Sequence, residues 1–349
     1  MPKVMVAMSG GVDSSVAAAL LLEQGYDVIG ATLRLYERDG KATEAEKAKS
    51  VCDTLGIQHF VFDMRDTFKE KVIDQFSSQY DAGLTPNPCI ECNKHLKFGA
   101  LLQKAIEMGC DYIATGHYSK IAFLDEAERY VLIRPDDCKK DQTYVLWHLS
   151  QQQLSHILMP LGSFTKQQVR EIAENHGFVS AHSAESQDIC FVPDGNYAAF
   201  LQEYNGQNFA SGNYIDLYGK ILGRHSGHQC YTIGQRKGLG IALGRPQFVT
   251  SKNSEDNTVV LSDEKYLFKT RVFIKDISMM ALSGLSEPLS CTAKLRYSAA
   301  DTPCTVYPIE NNKAVIEFDA PVRAPSPGQS AVFYQGDILL GGGIIERGE

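Results

Sequence analysis

Ser9-Gly10-Gly11-Val12-Asp13-Ser14-Ser15 lies between an apolar run, Val4 to Met8, and an apolar segment, Ser14 to Gln24, that Gly25 stops. The run reads as a buried strand and the segment as a helix. Paired glycines let a backbone approach an anion closely, and the helix start behind them offers unpaired N–H groups and a positive dipole end. Three serine hydroxyls add donors. Asp13 is out of place beside phosphates on charge alone, and fits if Mg²⁺ sits between its carboxylate and a nucleotide. The loop is not a Walker A sequence, because no G-x-x-x-x-G-K-[ST] occurs, and Gly238-Leu239-Gly240 lacks the strand and spacing of a dinucleotide fingerprint.

Downstream of this loop the same alternation continues. Val28 to Leu35 reads as a second strand, Thr43 with Glu46 as a capping box, and His59 to Met64 as a third strand. Asn93 to Met108 reads as a helix closed by Gly109, and Asp111 to His117 as a fourth strand. Strands separated by helices predict an α/β domain with a parallel sheet and right-handed crossovers. After about residue 205 the texture changes to short β-rich runs punctuated by Gly, Asn, Pro and Ser: Gln247 to Ser251, Arg271 to Ile274, Cys291 to Tyr297, Ala314 to Phe318 and Ala331 to Tyr334. These predict two small β-rich, barrel-like modules. The expected domains are 1–204, 205–274 and 275–349.

A chain of 349 residues is long enough for two or three domains. With 22% charged and 44% hydrophobic residues it is neither a disordered tail nor a filament. No apolar run reaches membrane-span length and no leader pattern opens the chain, so a cytoplasmic protein without membrane or DNA partners is expected. The net charge of −8 argues against nucleic-acid binding through the overall field. Residues 1–204 carry 19 basic and 28 acidic side chains and residues 205–349 carry 15 and 14, so any RNA contact must use local patches. Nine cysteines, an odd number, fit reduced, metal-bound or catalytic thiols better than a disulfide framework.

Two of those thiols share a motif, Thr85-Pro86-Asn87-Pro88-Cys89-Ile90-Glu91-Cys92-Asn93. The prolines stiffen the approach to a helix start, whose dipole is expected to lower a thiol pKa and enlarge its reactive thiolate fraction. A third lies far off in Ser186-Gln187-Asp188-Ile189-Cys190-Phe191. Cys52, Cys110, Cys138, Cys230, Cys291 and Cys304 read as small hydrophobes. A zinc site on Cys89, Cys92, Cys190 and His95 would need an awkward geometry.

The glycine-serine loop resembles the PP-loop of the ATP pyrophosphatases. Taken with T-P-N-P-x-x-x-C-N, the late Cys-Phe, Ala114-Thr115-Gly116-His117-Tyr118, Lys139-Lys140-Asp141-Gln142-Thr143-Tyr144, Tyr231 to Gly240, Leu295-Arg296-Tyr297 and Pro327-Gly328-Gln329-Ser330-Ala331, the whole chain resembles the tRNA-specific 2-thiouridylases of the MnmA family. That resemblance implies an ATP-dependent tRNA sulfurtransferase that replaces the C2 oxygen of wobble uridine 34 with sulfur in tRNAs reading Lys, Glu and Gln codons. ATP would adenylate the oxygen, turning a poor leaving group into AMP and releasing pyrophosphate.

The family roles fall on Ala7, Met8, Ser9, Gly10, Gly11, Val12, Asp13, Ser14, Leu33 and Gly116 for the nucleotide. Asn87, Pro88 and Cys89 would meet the target base, and Lys140, Asp141, Gln142, Arg296 and Tyr297 the rest of the tRNA. Cys190 would carry a persulfide received from a cysteine desulfurase or sulfur-relay protein, with Cys92 the nucleophile that frees the sulfur by forming a disulfide. Many members carry Asp where this chain has Cys89. The change creates a three-cysteine set, Cys89, Cys92 and Cys190, and with it an alternative in which the three hold a [4Fe-4S] cluster, as in related tRNA thiolases. Two other readings remain open: a PP-loop ligase or amidotransferase for a small molecule, and a non-catalytic cysteine-rich metal- or RNA-binding module.

Overall fold

The structure is a computed structural model; it describes residues 1–36, 43–178, 189–192 and 195–349. Five parallel strands form the first sheet in the order β3-β2-β1-β4-β7, from β1 (Lys3–Ala7), β2 (Asp27–Arg34), β3 (His59–Asp63), β4 (Tyr112–Ala114) and β7 (Ile157–Leu158). β1 is central and lies between β2 and β4, so the chain direction across the sheet reverses at its C-terminal end. Such a switch point is where open parallel sheets bind ligands. Helix α1 (Val12–Glu23) lies against the sheet with Ala17, Ala18 and Ala19 all buried, and α2 (Glu44–Leu55) and the helix Lys166–Asn175 pack beside it. The Thr43–Glu46 capping box is present.

The opposite face of the sheet is covered by a continuous helical stretch: Pro88–Cys92, a π-helical segment Asn93–Ala100, and Leu101–Glu107. The expected single helix from Asn93 to Met108 is therefore interrupted by wider turns. Between the strands of the first sheet an antiparallel hairpin, β5 (Lys120–Leu124) and β6 (Arg129–Ile133), leaves the domain and joins the C-terminal sheet where Ile133 pairs with Ile338.

The central module pairs β8 (Gly212–Ile215), β9 (Ile221–His225), β10 (Phe248–Asn253) and β11 (Thr258–Ser262) in the order β10-β11-β8-β9. The C-terminal module is a six-stranded barrel of β12 (Phe268–Met279), β13 (Leu289–Lys294), β14 (Thr302–Ile309), β15 (Lys313–Arg323), β16 (Ser330–Gln335) and β17 (Ile338–Gly348), closed by pairing of β12 with β17. Closure removes the exposed edges an open sheet would leave. β12 passes through residue 275 as one continuous barrel strand, so the chain has entered the barrel before the position expected for the second boundary.

One apolar core is common to the first sheet and the barrel. It joins Met5, Ile29, Ile113, Tyr144 and Trp147 to Val332, Tyr334 and Leu339. Trp147 donates its indole N–H to Ser330 Oγ at 3.1 Å, and Tyr144 donates its hydroxyl to the Ser330 carbonyl at 2.9 Å. A Cβ on Gly342 would lie 2.9 Å from the Trp147 ring, so glycine is what lets the barrel approach. Among the described residues no helix is long and apolar enough to cross a membrane.

Candidate active site

The glycine-serine loop follows β1 at the switch point. Gly10 has φ +72°, and a Cβ there would be 2.6 Å from Lys47 Cβ and 2.9 Å from the Glu44 carbonyl, so the start of α2 closes over the loop. Gly11 precedes α1 without a side-chain cap, which leaves the first-turn N–H groups for a ligand. Ser14 and Ser15 both donate their hydroxyls to the Gly11 carbonyl, at 3.1 and 2.9 Å, and both are buried. They shape the loop together with the exposed Ser9, whose Oγ accepts from the Gly11 N–H at 3.4 Å and lies 3.3 Å from Ser14 Oγ. Met8 is buried and held by backbone: its N–H donates to Ala31 at 2.7 Å and its carbonyl accepts from Thr32 Oγ1 at 2.8 Å. Ala7 pairs with Ala31, Leu33 packs beneath the sheet, and Val12 is buried in the α1 core. A Cβ on Gly116 would fall 2.8 Å from Asp13 and Ser14, so β4 ends directly against the loop.

Asp13 does not offer a free carboxylate. Lys166 Nζ donates to its Oδ1 at 2.6 Å and Oδ2 at 2.8 Å, and Tyr118 donates its hydroxyl to Oδ1 at 2.8 Å. With both oxygens engaged by an ammonium, the carboxylate does not fit the Mg²⁺ expected there. Lys166 is the residue the sequence reading missed. It opens the helix Lys166–Asn175, where a positive charge opposes the dipole, and the Thr165–Gln168 capping box marks that placement in the sequence.

The thiol segment is built by capping. Asn87 Oδ1 accepts from the Cys89 N–H at 3.2 Å, Pro88 opens the helix, and Cys92 faces inward. Cys92 shares an apolar cluster with Phe68, Phe76, Leu96, Phe191 and Val192, and the Phe191 ring meets Phe68 and Phe76 edge-on at 5.5 and 5.4 Å. Tyr36 donates its hydroxyl to the Cys190 carbonyl at 2.9 Å. Residues 98 positions apart are thus brought to one place, Cys190 being next to a ring that packs on the Cys92 helix.

The helix start does not lower these thiols as expected. Burial outweighs the dipole, raising Cys89 and Cys92, and burial together with the neighbouring Cys92 and Cys89 pushes Cys190 up to about 12. Cys89 and Cys190 keep solvent-exposed surface. Among the described residues no three His, Cys, Asp or Glu side chains are placed to hold a metal ion. His95 instead faces Glu91 at 3.3 Å along its own helix. The three-cysteine set of the [4Fe-4S] alternative is therefore not assembled among the described residues.

Of the residues expected to contact tRNA, several are occupied internally. Asp141 is buried, accepting from the Thr143 N–H at 2.9 Å and hydroxyl at 2.6 Å and facing Arg134 at 3.5 Å. Gln142 binds the Tyr118 backbone, accepting from its N–H at 2.8 Å and donating its own N–H at 3.1 Å. Arg296 donates to the carbonyls of Ile233 and Ala324 at 2.9 and 3.1 Å and to Ser326 Oγ at 2.6 Å, pinning the central module to the barrel. Lys140 closes the turn Cys138–Lys140, and Tyr297 is exposed beside Tyr144, ring centroids 6.2 Å apart. The barrel also holds the Asn87 loop: Thr85 donates to the Pro327 carbonyl at 2.8 Å, and the Gln329 amide donates to the carbonyls of Thr85 and Pro86 at 2.9 and 3.2 Å.

Three family models match in series: a tRNA methyl transferase HUP domain over residues 2–194, a tRNA methyl transferase PRC-barrel domain over 198–263, and an aminomethyltransferase beta-barrel domain over 269–345. The chain is 48% identical over 355 residues to the tRNA-specific 2-thiouridylase MnmA of Acetivibrio thermocellus, covering 99% of both chains. It is 46% identical over 356 residues to that of Carboxydothermus hydrogenoformans, covering 99% of this chain and 98% of the relative. Among solved structures, a predicted tRNA methyltransferase subunit from Methanocaldococcus jannaschii aligns at 17% identity and TM-score 0.35, covering 59% of this chain and 89% of that one.

Proposed function

The chain belongs to the tRNA-specific 2-thiouridylase family and is a tRNA sulfurtransferase, and from that premise we propose that it thiolates C2 of uridine 34 through an adenylated intermediate and a cysteine persulfide. ATP, with Mg²⁺, is the energy source that membership carries. No step is assigned to the ion through Asp13, whose carboxylate is engaged by Lys166.

The uridine C2 oxygen attacks the α-phosphorus of ATP, and pyrophosphate leaves. Loop N–H groups and Lys166 receive the departing charge, a preorganised electrostatic role in which Asp13 and Tyr118 aim the ammonium. A sulfur-donating protein has meanwhile left a persulfide on Cys190. Cys92 attacks Sγ of Cys190, forming a disulfide and freeing hydrosulfide; hydrosulfide adds to C2, and AMP departs with the original oxygen. A dithiol reductant returns the disulfide to two thiols. A wobble base is unstacked or easily splayed out, so the pocket reaches C2 without melting a helix. In this reading Tyr297 and Lys140 meet the anticodon arm, and Asn87, Pro88 and Cys89 meet the base.

The observation that carries this reading is the joining of the Cys92 helix and the Cys190 segment in one cluster, bordered by Glu44. The Glu44 carboxylate bears on the Cys190 thiol, and its backbone abuts Gly10 of the phosphate loop. The test is nucleoside mass spectrometry of tRNA from a strain depleted of the protein. 2-Thiouridine derivatives at position 34 of the Lys, Glu and Gln acceptors should disappear and return with the intact gene; persistence at normal levels refutes the reading, as does rapid pyrophosphate release without tRNA.

A further inference from the structure

Two cysteines outside the sulfur-transfer cluster face each other in the barrel. Cys291 of β13 and Cys304 of β14 are direct partners across an antiparallel ladder, and their sulfurs are 3.8 Å apart. Residues opposed in this way have Cα atoms about 4.5–5.5 Å apart and share one face of the sheet. That separation lies inside the window of about 4.4–6.8 Å that disulfides span, so a bond requires only that the sulfurs close to about 2.0 Å. Packing explains a small apolar side chain at each position, but not two thiols in register.

The two thiols are unequal. Cys304 is 3% exposed and belongs to the barrel core with Val306, Ile316 and Phe333, whereas Cys291 is half-buried against that core. The contact between them lowers the Cys291 thiol, and the same contact together with burial raises Cys304. An oxidant therefore meets Cys291 first, with Cys304 behind it as the resolving thiol.

Their position gives the pair a reach beyond the barrel. They stand at the base of the β13–β14 hairpin, whose connection carries Arg296 and Asp301. Arg296 donates to the Ile233 carbonyl of the central module at 2.9 Å, and Asp301 accepts from both terminal nitrogens of Arg134, just after β6, at 2.6 and 2.7 Å.

We propose that Cys291 and Cys304 form a dithiol–disulfide couple, closed by low-molecular-weight disulfides, that fastens the hairpin joining the barrel to the central module and to β6. The Cys291 thiolate attacks one sulfur of R–S–S–R and expels RS⁻. Cys304 then gives up its proton, and its sulfur attacks Cys291 Sγ and expels the second RS⁻. The two cysteine protons end on the two released thiols, two electrons pass to the reagent, and a dithiol reductant reverses the exchange. The couple does not depend on the sulfur-transfer reading above.

The test treats the intact protein with glutathione disulfide, quenches it with acid and alkylator, and maps its peptides by mass spectrometry. The Cys291 and Cys304 peptides should be recovered joined and should separate on dithiothreitol treatment; the map distinguishes this bond from one between Cys92 and Cys190. Cys304→Ala should trap the mixed disulfide on Cys291, and folded Cys291→Ser protein should keep Cys304 unmodified. Amide hydrogen exchange over residues 289–309 should slow several-fold in the oxidised wild type and stay unchanged in Cys291→Ser given the same treatment. Full alkylation of both thiols in treated wild type, or a mixed disulfide that persists on Cys291 beside a free Cys304, overturns the proposal. So does unchanged exchange in protein that carries the bond.

Discussion

Lys166 and Asp13, 153 positions apart, form a two-point contact at 2.6 and 2.8 Å at the mouth of the phosphate loop, and Tyr118 completes it. The lysine side chain is mostly buried and its charge stands at a helix start, so the pair stores a cation where a polyphosphate would arrive. Replacing Lys166 with Met should lower kcat/KM for ATP by about two orders of magnitude in a tRNA-dependent pyrophosphate-release assay. Asp13→Ala should remove adenylation through loss of the same geometry. A Lys166→Met enzyme with wild-type pyrophosphate release would end this assignment.

Cys190→Ala should abolish 2-thiouridine formation and leave tRNA affinity within about twofold, because the residue supplies sulfur and not surface. Filter binding beside nucleoside analysis separates the two. Cys92→Ser should behave alike, with adenylation preserved.

Lys140→Ala should weaken tRNA binding and reduce the salt slope of log K by about one, the loss of one phosphate contact. Titration at several salt concentrations checks this. An unchanged slope would mean that Lys140 meets no phosphate.

The interface between sheet and barrel contains Trp147, the chain's one tryptophan, so its fluorescence reports that interface directly. Ser330→Ala should cost about 1 kcal/mol, since it leaves the indole N–H without its acceptor. Trp147→Ala should cost about 3–5 kcal/mol. Urea unfolding followed by fluorescence and by circular dichroism gives both; equal stabilities for Ser330→Ala and wild type would contradict the first.

His148 has both ring nitrogens buried and without partners among the described residues, and burial pulls its pKa down to about 3. The folded state therefore refuses a proton that the unfolded chain accepts below about 6.5, and stability should fall with acidification between about pH 6.5 and 3. The slope from this group is at most about 1.4 kcal/mol per pH unit. His148→Leu should flatten the decline of the urea midpoint from pH 7 to 5; an identical decline would remove His148 as its source.

The parallel sheet and its phosphate loop were legible because glycine pairs, caps and strand-helix alternation are local signals. The β5–β6 hairpin was not, because its partner strand β17 comes from the far end of the chain. The run Gly341-Gly342-Gly343 lies in β17, where Gly342 makes room for the Trp147 ring. The expected thiol acidity failed for a related reason: residues near Cys89 announce a helix start, but the burial that dominates is supplied by Phe68, Phe76 and Phe191. Asp13 was recognisable as an anomaly; its partner Lys166 was not, since nothing local joins them.

The seam between β6 and β17 also has a consequence for synthesis. A ribosome working at roughly 5–20 residues per second finishes β17 some ten to forty seconds after β6 emerges. During that interval the Tyr144–Trp147 surface lacks the barrel strands that cover it, so this face of the first sheet stays open to solvent until the last strand arrives.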